Sequence, residues 1–94
     1  MTRSEKVTHI VDVVIGMYNQ ITIPGIGTLD IQREYLRPYS FVKVAGNNVN
    51  GRGFSKCSSP DEWSAVEGIT IAAKRAARNY IDNVDKWENL TDDE

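Results

Sequence analysis

The chain has 94 residues, 40% hydrophobic and 26% charged, with a net charge of −2; that is enough for one domain with a modest core and excludes two independent cores. The near balance of charge excludes a global field that would draw the chain to DNA or to an anionic membrane. A single cysteine excludes an internal disulfide, which fits a reducing cytoplasm. Asp12 interrupts the longest apolar stretch, Ile10 to Ile15, and no leader pattern opens the chain, so neither a membrane span nor a signal peptide is expected.

The first eighteen residues admit two readings. Val7, Ile10, Val11, Val14, Met17 and Tyr18 recur at helical spacing, with Glu5, Lys6, His9, Asp12, Gly16 and Asn19 on the other side. Thr2 and Glu5 stand at capping-box spacing, and Ser4 is an equally good cap. The β-branched run from Ile10 to Ile15 favours a strand instead. The regular polar side decides for a helix, because only Val13 breaks the pattern.

Four strands follow. Gln20 to Pro24 is short and alternating, and Gly25 and Gly27 bracket Ile26 in a tight turn into Thr28 to Gln32. Arg37-Pro38 breaks the chain before a third strand, Tyr39 to Ala45. Gly46-Asn47-Asn48 is turn material, and Asn50-Gly51 is the strongest hairpin dipeptide in the chain. The fourth strand covers Arg52 to Cys57, or begins earlier at Val49. Ser59, Pro60 and Glu62 then have the spacing of a helix start. From there Val66, Ile69, Ala73, Ala76, Ala77, Tyr80, Val84 and Trp87 form one apolar stripe. Its alanine-rich middle and Gly68 predict a close approach to a sheet or second helix, and residues 91–94 form a frayed acidic end. The whole predicts a single α+β domain: an N-terminal helix, a four-stranded antiparallel meander and a long C-terminal helix laid on the sheet. Trp63 and Trp87 near the two ends of the last helix, and Ile71 off its stripe, predict a homodimer.

Candidate chemistry is sparse. Gly51-Arg52-Gly53 lacks the spacing of a phosphate-binding fingerprint and reads as a hairpin. Cys57 has no cysteine or histidine near it in sequence, so no metal site is expected and the thiol reads as a buried strand-end residue. His9 is the only histidine and falls on the polar side of the first helix, with no recognisable nucleophile beside it. The chain is therefore expected to be non-enzymatic and to need no cofactor. The basic cluster Lys74, Arg75 and Arg78 on the last helix is the leading binding surface, with Arg52 and Lys56 as contributors from the sheet. Guanidinium groups there could meet a phosphate or carboxylate bidentately; read without a ligand, the same side is a solvated face paired with Glu67 and Asp82. Arg33, Arg37 and Lys43 could extend that surface, depending on which way the strands face. Tyr35, Tyr39 and Phe41, interleaved with Arg37 and Lys43, either stack on a base or form a sheet core with snorkelling cations, and the core reading is preferred.

Two stretches resemble known families. Ile23-Pro24-Gly25-Ile26-Gly27-Thr28-Leu29, after a helix and a short strand, resembles the helix-to-hairpin segment of the histone-like HU/IHF proteins. The long basic arm of that family has no counterpart here, so its DNA wrapping is not implied. Val49 to Ala77, with Val49-Asn50-Gly51-Arg52-Gly53-Phe54-Ser55-Lys56-Cys57-Ser58-Ser59-Pro60-Asp61-Glu62-Trp63, Gly68-Ile69 and Ala72-Ala73-Lys74-Arg75-Ala76, is similar to the C-terminal strand and helix of small phage-encoded proteins, with one extra serine. Some of those resemble anti-Thoeris sponges, which sequester a cyclic-nucleotide signal without cleaving it. The resemblance implies a phage accessory protein in a bacterial cytoplasm that counters host defence or redirects a host factor by binding a host protein or an anionic nucleotide signal. The alternative is a small nucleic-acid-binding module that uses a basic and aromatic sheet face.

Overall fold

The computed structural model describes residues 1–57 and 65–92, without the side chains of 65 and 87–92. An N-terminal helix α1 (Arg3–Ile15) precedes strands β1 (Gln20–Ile23), β2 (Gly27–Leu36), β3 (Tyr39–Gly46) and β4 (Val49–Lys56), and helix α2 (Ala65–Asp92) closes the chain. The expected α+β architecture is the observed one.

Helix α1 opens with the capping box: Thr2 Oγ1 accepts the Glu5 N–H, and the Glu5 carboxylate accepts the Thr2 N–H, each at 3.1 Å. Those bonds from Thr2 hold the Glu5 carboxyl below its usual range. Ile10, Val11 and Val14 are buried. The β-branched run thus serves as one packed face of a helix, and tertiary burial outweighs its strand propensity.

The sheet is an antiparallel meander in the order β1-β2-β3-β4. β2 runs to Leu36, further than the Thr28–Gln32 span predicted, because β3 pairs along it from Asp30↔Ala45 to Leu36↔Tyr39. Two turns meet at one end. Asn47 Nδ2 donates to the Ile26 carbonyl of the β1–β2 turn, and the β3–β4 turn places both Asn47 and Asn48 at positive φ, 54° and 63°.

That last turn corrects the hairpin expected at Asn50-Gly51. Both residues lie inside β4, opposite Ala45 and Val44. A Cβ on Gly51 would collide with Tyr80 and the Ala76 carbonyl, and one on Gly53 with the Ala72 carbonyl and Ala76 nitrogen. These glycines are there because α2 passes directly over them, not because the chain turns.

Ile69, Ala72, Ala73, Ala76, Ala77, Tyr80 and Ile81 are the buried side of α2. Val66, expected in that stripe, is instead 66% exposed, since it precedes the point where the helix meets the sheet. Gly68 sits against Ser40, where a Cβ would stand 2.6 Å from the hydroxyl, as the predicted close approach requires. Tyr80 is buried and donates to the Gly46 carbonyl at 3.1 Å; burial pushes its phenol above the ordinary range. The predicted helix start at Ser59, Pro60 and Glu62 lies outside the described residues. Among the described residues, no helix is long and apolar enough to cross a membrane.

Helix α2 also seals the outer edge of β4. Arg75 Nη1 donates to the Phe54 carbonyl at 2.6 Å, Asn79 Oδ1 accepts the Arg52 N–H at 2.9 Å, and Asn83 Nδ2 donates to the Asn50 carbonyl at 2.7 Å. Spacing of four residues puts all three side chains on one side of the helix, where they satisfy backbone groups that would otherwise offer an edge for pairing.

Candidate functional site

Both helices pack on one face of the sheet and leave the other open. Directly paired residues point to the same face, so the register gives the open face row by row. Leu36, Tyr39 and Lys56 form one row, Glu34, Phe41 and Phe54 the next, and Gln32, Lys43 and Arg52 the third. Asp30, Ala45 and Asn50 follow.

The rings make a connected line. Tyr39 and Phe41 stack with centroids 5.9 Å apart, and Phe41 and Phe54 lie 6.1 Å apart at 31°. Lys56 Nζ stands 5.7 Å from the Tyr39 ring centroid. The preferred sheet-core reading of Tyr39 and Phe41 is corrected here. The buried core lies on the helix side and includes Val42 and Val44 from β3, whereas both rings point the other way. Phe54, which the sequence did not single out, is 54% exposed beside them. Its signal was the alternation of β4: Gly51, Gly53 and Ser55 are buried, so Arg52, Phe54 and Lys56 face out. Tyr35 falls on the opposite face from Phe41 and does not join the line.

The charges divide the open face in two. Toward β1 the polar groups satisfy one another: Gln20 Nε2 donates to Asp30 Oδ1 at 3.0 Å, and the Thr22 and Thr28 hydroxyls are 3.2 Å apart. Toward β4, Lys43 and Arg52 are directly opposite each other, an arrangement that like charges disfavour. Among the described residues neither side chain has an ion pair. A depression of about 950 Å³ lies over this half; its lining includes Gln32, Glu34, Phe41, Lys43, Arg52 and Phe54, and reaches Asn19 and Arg33 at its β1 side.

The five predicted binding residues are not one surface. Arg52 and Lys56 belong to the open face. Lys74 and Arg78 line a groove of about 550 Å³ between α1 and α2, with Arg3, Ser4, Thr8 and Asp12 around a floor of Val7 and Val11. Arg75 is spent on the β4 edge. The predicted pairing of this cluster with Asp82 is corrected: Asp82 and Asp85 are bridged by Arg3 from α1. Of the possible sheet contributors, Lys43 is on the open face, while Arg33 is on the helix side and fastens the turn after α1 through the Tyr18 carbonyl and Asn19 Oδ1, at 2.7 and 2.8 Å.

Ser4, His9 and Asp12 share a shallow depression on α1, but no hydrogen bond joins them. Among the described residues, no three of His, Cys, Asp and Glu come together as a metal-binding group. Cys57 is half-buried just after β4. Ile71 is 44% exposed on α2, and Trp63 and the side chain of Trp87 lie outside the described residues. Compared with protein-family models, with curated proteins and with solved structures, the chain finds no significant match.

Proposed function

We propose that the chain is a non-enzymatic binding module whose open sheet face takes nucleotides, with bases on the Tyr39–Phe41–Phe54 line and phosphates on Lys43, Arg52 and Lys56. One observation carries this reading. Among the described residues, Lys43 and Arg52 are held opposite each other without a carboxylate between them, next to the exposed ring of Phe54 and the half-buried rings of Tyr39 and Phe41. An anion between the two cations relieves their repulsion, and an aromatic ligand covers the rings. Every base has a π-face, so stacking alone tolerates any sequence.

A short nucleic-acid strand and a free nucleotide signal share this chemistry. The resemblance to phage accessory proteins favours the signal, and the extent of the ring line favours a strand. Fluorescence anisotropy with labelled strands of about four to sixteen nucleotides separates them, because affinity for a strand rises with length. Loss of binding in Lys43→Glu with Arg52→Glu, with an unchanged melting temperature, is the expected result. No binding of strands or nucleotides by the native protein at low salt would overturn the proposal.

A second reading places an acidic segment of a host protein in the groove between the helices, because among the described residues Lys74 and Arg78 also lack ion pairs. It predicts that Arg78→Glu weakens capture of that partner by about 2–5 kcal/mol and leaves nucleotide binding unchanged. Equal capture of host proteins by the native and variant chains would dismiss it.

A further inference from the structure

Among the described residues, Glu34 is the one charged group on the ring-bearing half of the open face that a bound phosphate would repel. It stands directly opposite Phe41, in the row that ends at Phe54, and lines the same depression as Lys43 and Arg52. It forms no ion pair or hydrogen bond among the described residues. The other acid on this face, Asp30, already accepts a bond from Gln20. A carboxylate left free beside an aromatic platform is an acceptor with two oxygens waiting for donors.

Resting on the nucleotide-binding reading, we propose that Glu34 makes this site selective for guanine. A base stacked over Phe41 and Phe54 turns one edge toward β2, where Glu34 stands. Guanine offers two adjacent N–H donors on that edge, at N1 and N2, which a carboxylate accepts bidentately. Adenine and cytosine set a ring-nitrogen acceptor beside their amino group, and thymine flanks its single N–H with two carbonyls, so each puts a lone pair against the carboxylate. Gln32, one row along the same strand and in the same depression, adds a neutral amide that can meet a neighbouring carbonyl without repelling phosphate. The sheet thereby divides the labour: cations of β3 and β4 hold the backbone, and acceptors of β2 read the base.

Anisotropy titrations of thymidine strands of about eight nucleotides, with guanine, inosine, adenine or cytosine at two central positions, test this. The native protein should bind the guanine strand at least about tenfold more tightly than the adenine strand, with inosine, which lacks the N2 amino group, in between. Glu34→Gln removes a negative charge and should tighten the adenine, cytosine and all-thymidine strands, while the guanine strand loses its bidentate bond and the guanine-to-adenine ratio collapses toward one. Guanosine monophosphate added as competitor assigns the source: displacement at low concentration indicates a free nucleotide, displacement only by strands a nucleic acid. Equal affinity for all strands, with the all-thymidine strand still bound, would overturn the guanine proposal and leave the binding reading intact. A preference that survives Glu34→Gln would also overturn it. No binding of any strand or nucleotide would overturn both.

Discussion

Phe54 and Gly53 are neighbours with opposite tasks. Phe54 is 54% exposed on the open face, so Phe54→Ala should leave stability within about 0.5 kcal/mol of native. Removing the ring should still weaken nucleotide binding by about 1–3 kcal/mol. Anisotropy beside a urea titration reads both quantities; a large loss of stability would mean that the ring belongs to the core. Gly53 shows the reverse. Its added Cβ meets backbone of α2 at Ala72 and Ala76, which cannot move aside as a flexible side-chain tip could. Gly53→Ala should therefore destabilise by about 1–3 kcal/mol through overpacking, seen as a lower urea midpoint. Should the midpoint stay put, α2 does not ride as closely on β4 as described.

Among the elements, α1 carries a pH-dependent cap. The Glu5 carboxyl is held below its ordinary value of 4.5 by its bonds with Thr2. The stabilising contribution is therefore complete above that value and is lost as pH falls through the lower, folded-state value. A glutamine accepts the same backbone bond without titrating, so Glu5→Gln should flatten the acid limb of a melting-temperature profile and change little near neutrality. An unchanged acid limb would place that limb's origin elsewhere. For β4 the test is the edge seal. Asn79→Ala leaves the Arg52 N–H without its partner, costing about 0.5–1.5 kcal/mol. Amide exchange should quicken at Arg52 first, and an equally protected Arg52 amide would show that the bond does not hold in solution.

At the scale of the whole molecule, a net charge of −2 hides a local concentration of positive charge. Lys43, Arg52 and Lys56 share one half of the open face, while Asp82 and Asp85 are engaged by Arg3 on the helix side. The sheet thus lies between the cations of its open face and these acids. Nucleic-acid binding should weaken with salt at a log–log slope of about −2, from three phosphate contacts at roughly 0.7 each on a single strand. Arg52→Ala should flatten that slope by about 0.7. A slope near zero would mean that stacking alone holds the ligand and that the Lys43–Arg52 pair has another purpose.

Much of the fold was legible in the residues themselves. Thr2 and Glu5 marked the start of α1, alternation marked the strands, and Gly68 with its alanine neighbours announced a close helix–sheet contact. These are local matters, decided by hydrogen-bond spacing and by the period at which apolar side chains recur. The candidate site was legible only in part: Arg52, Lys56, Tyr39 and Phe41 were noticed, but not as one surface. A period of two says that alternate residues share a face, and it does not say which face a helix will cover. In β4 ordinary hydropathy points the wrong way, with Phe54 outside and Gly51 and Gly53 inside. That inversion exists because α2 lies so close that only glycine fits beneath it. Only the packed structure could decide which side of the sheet would be left open, because that choice is made by residues 21 to 33 positions away along the chain in α2.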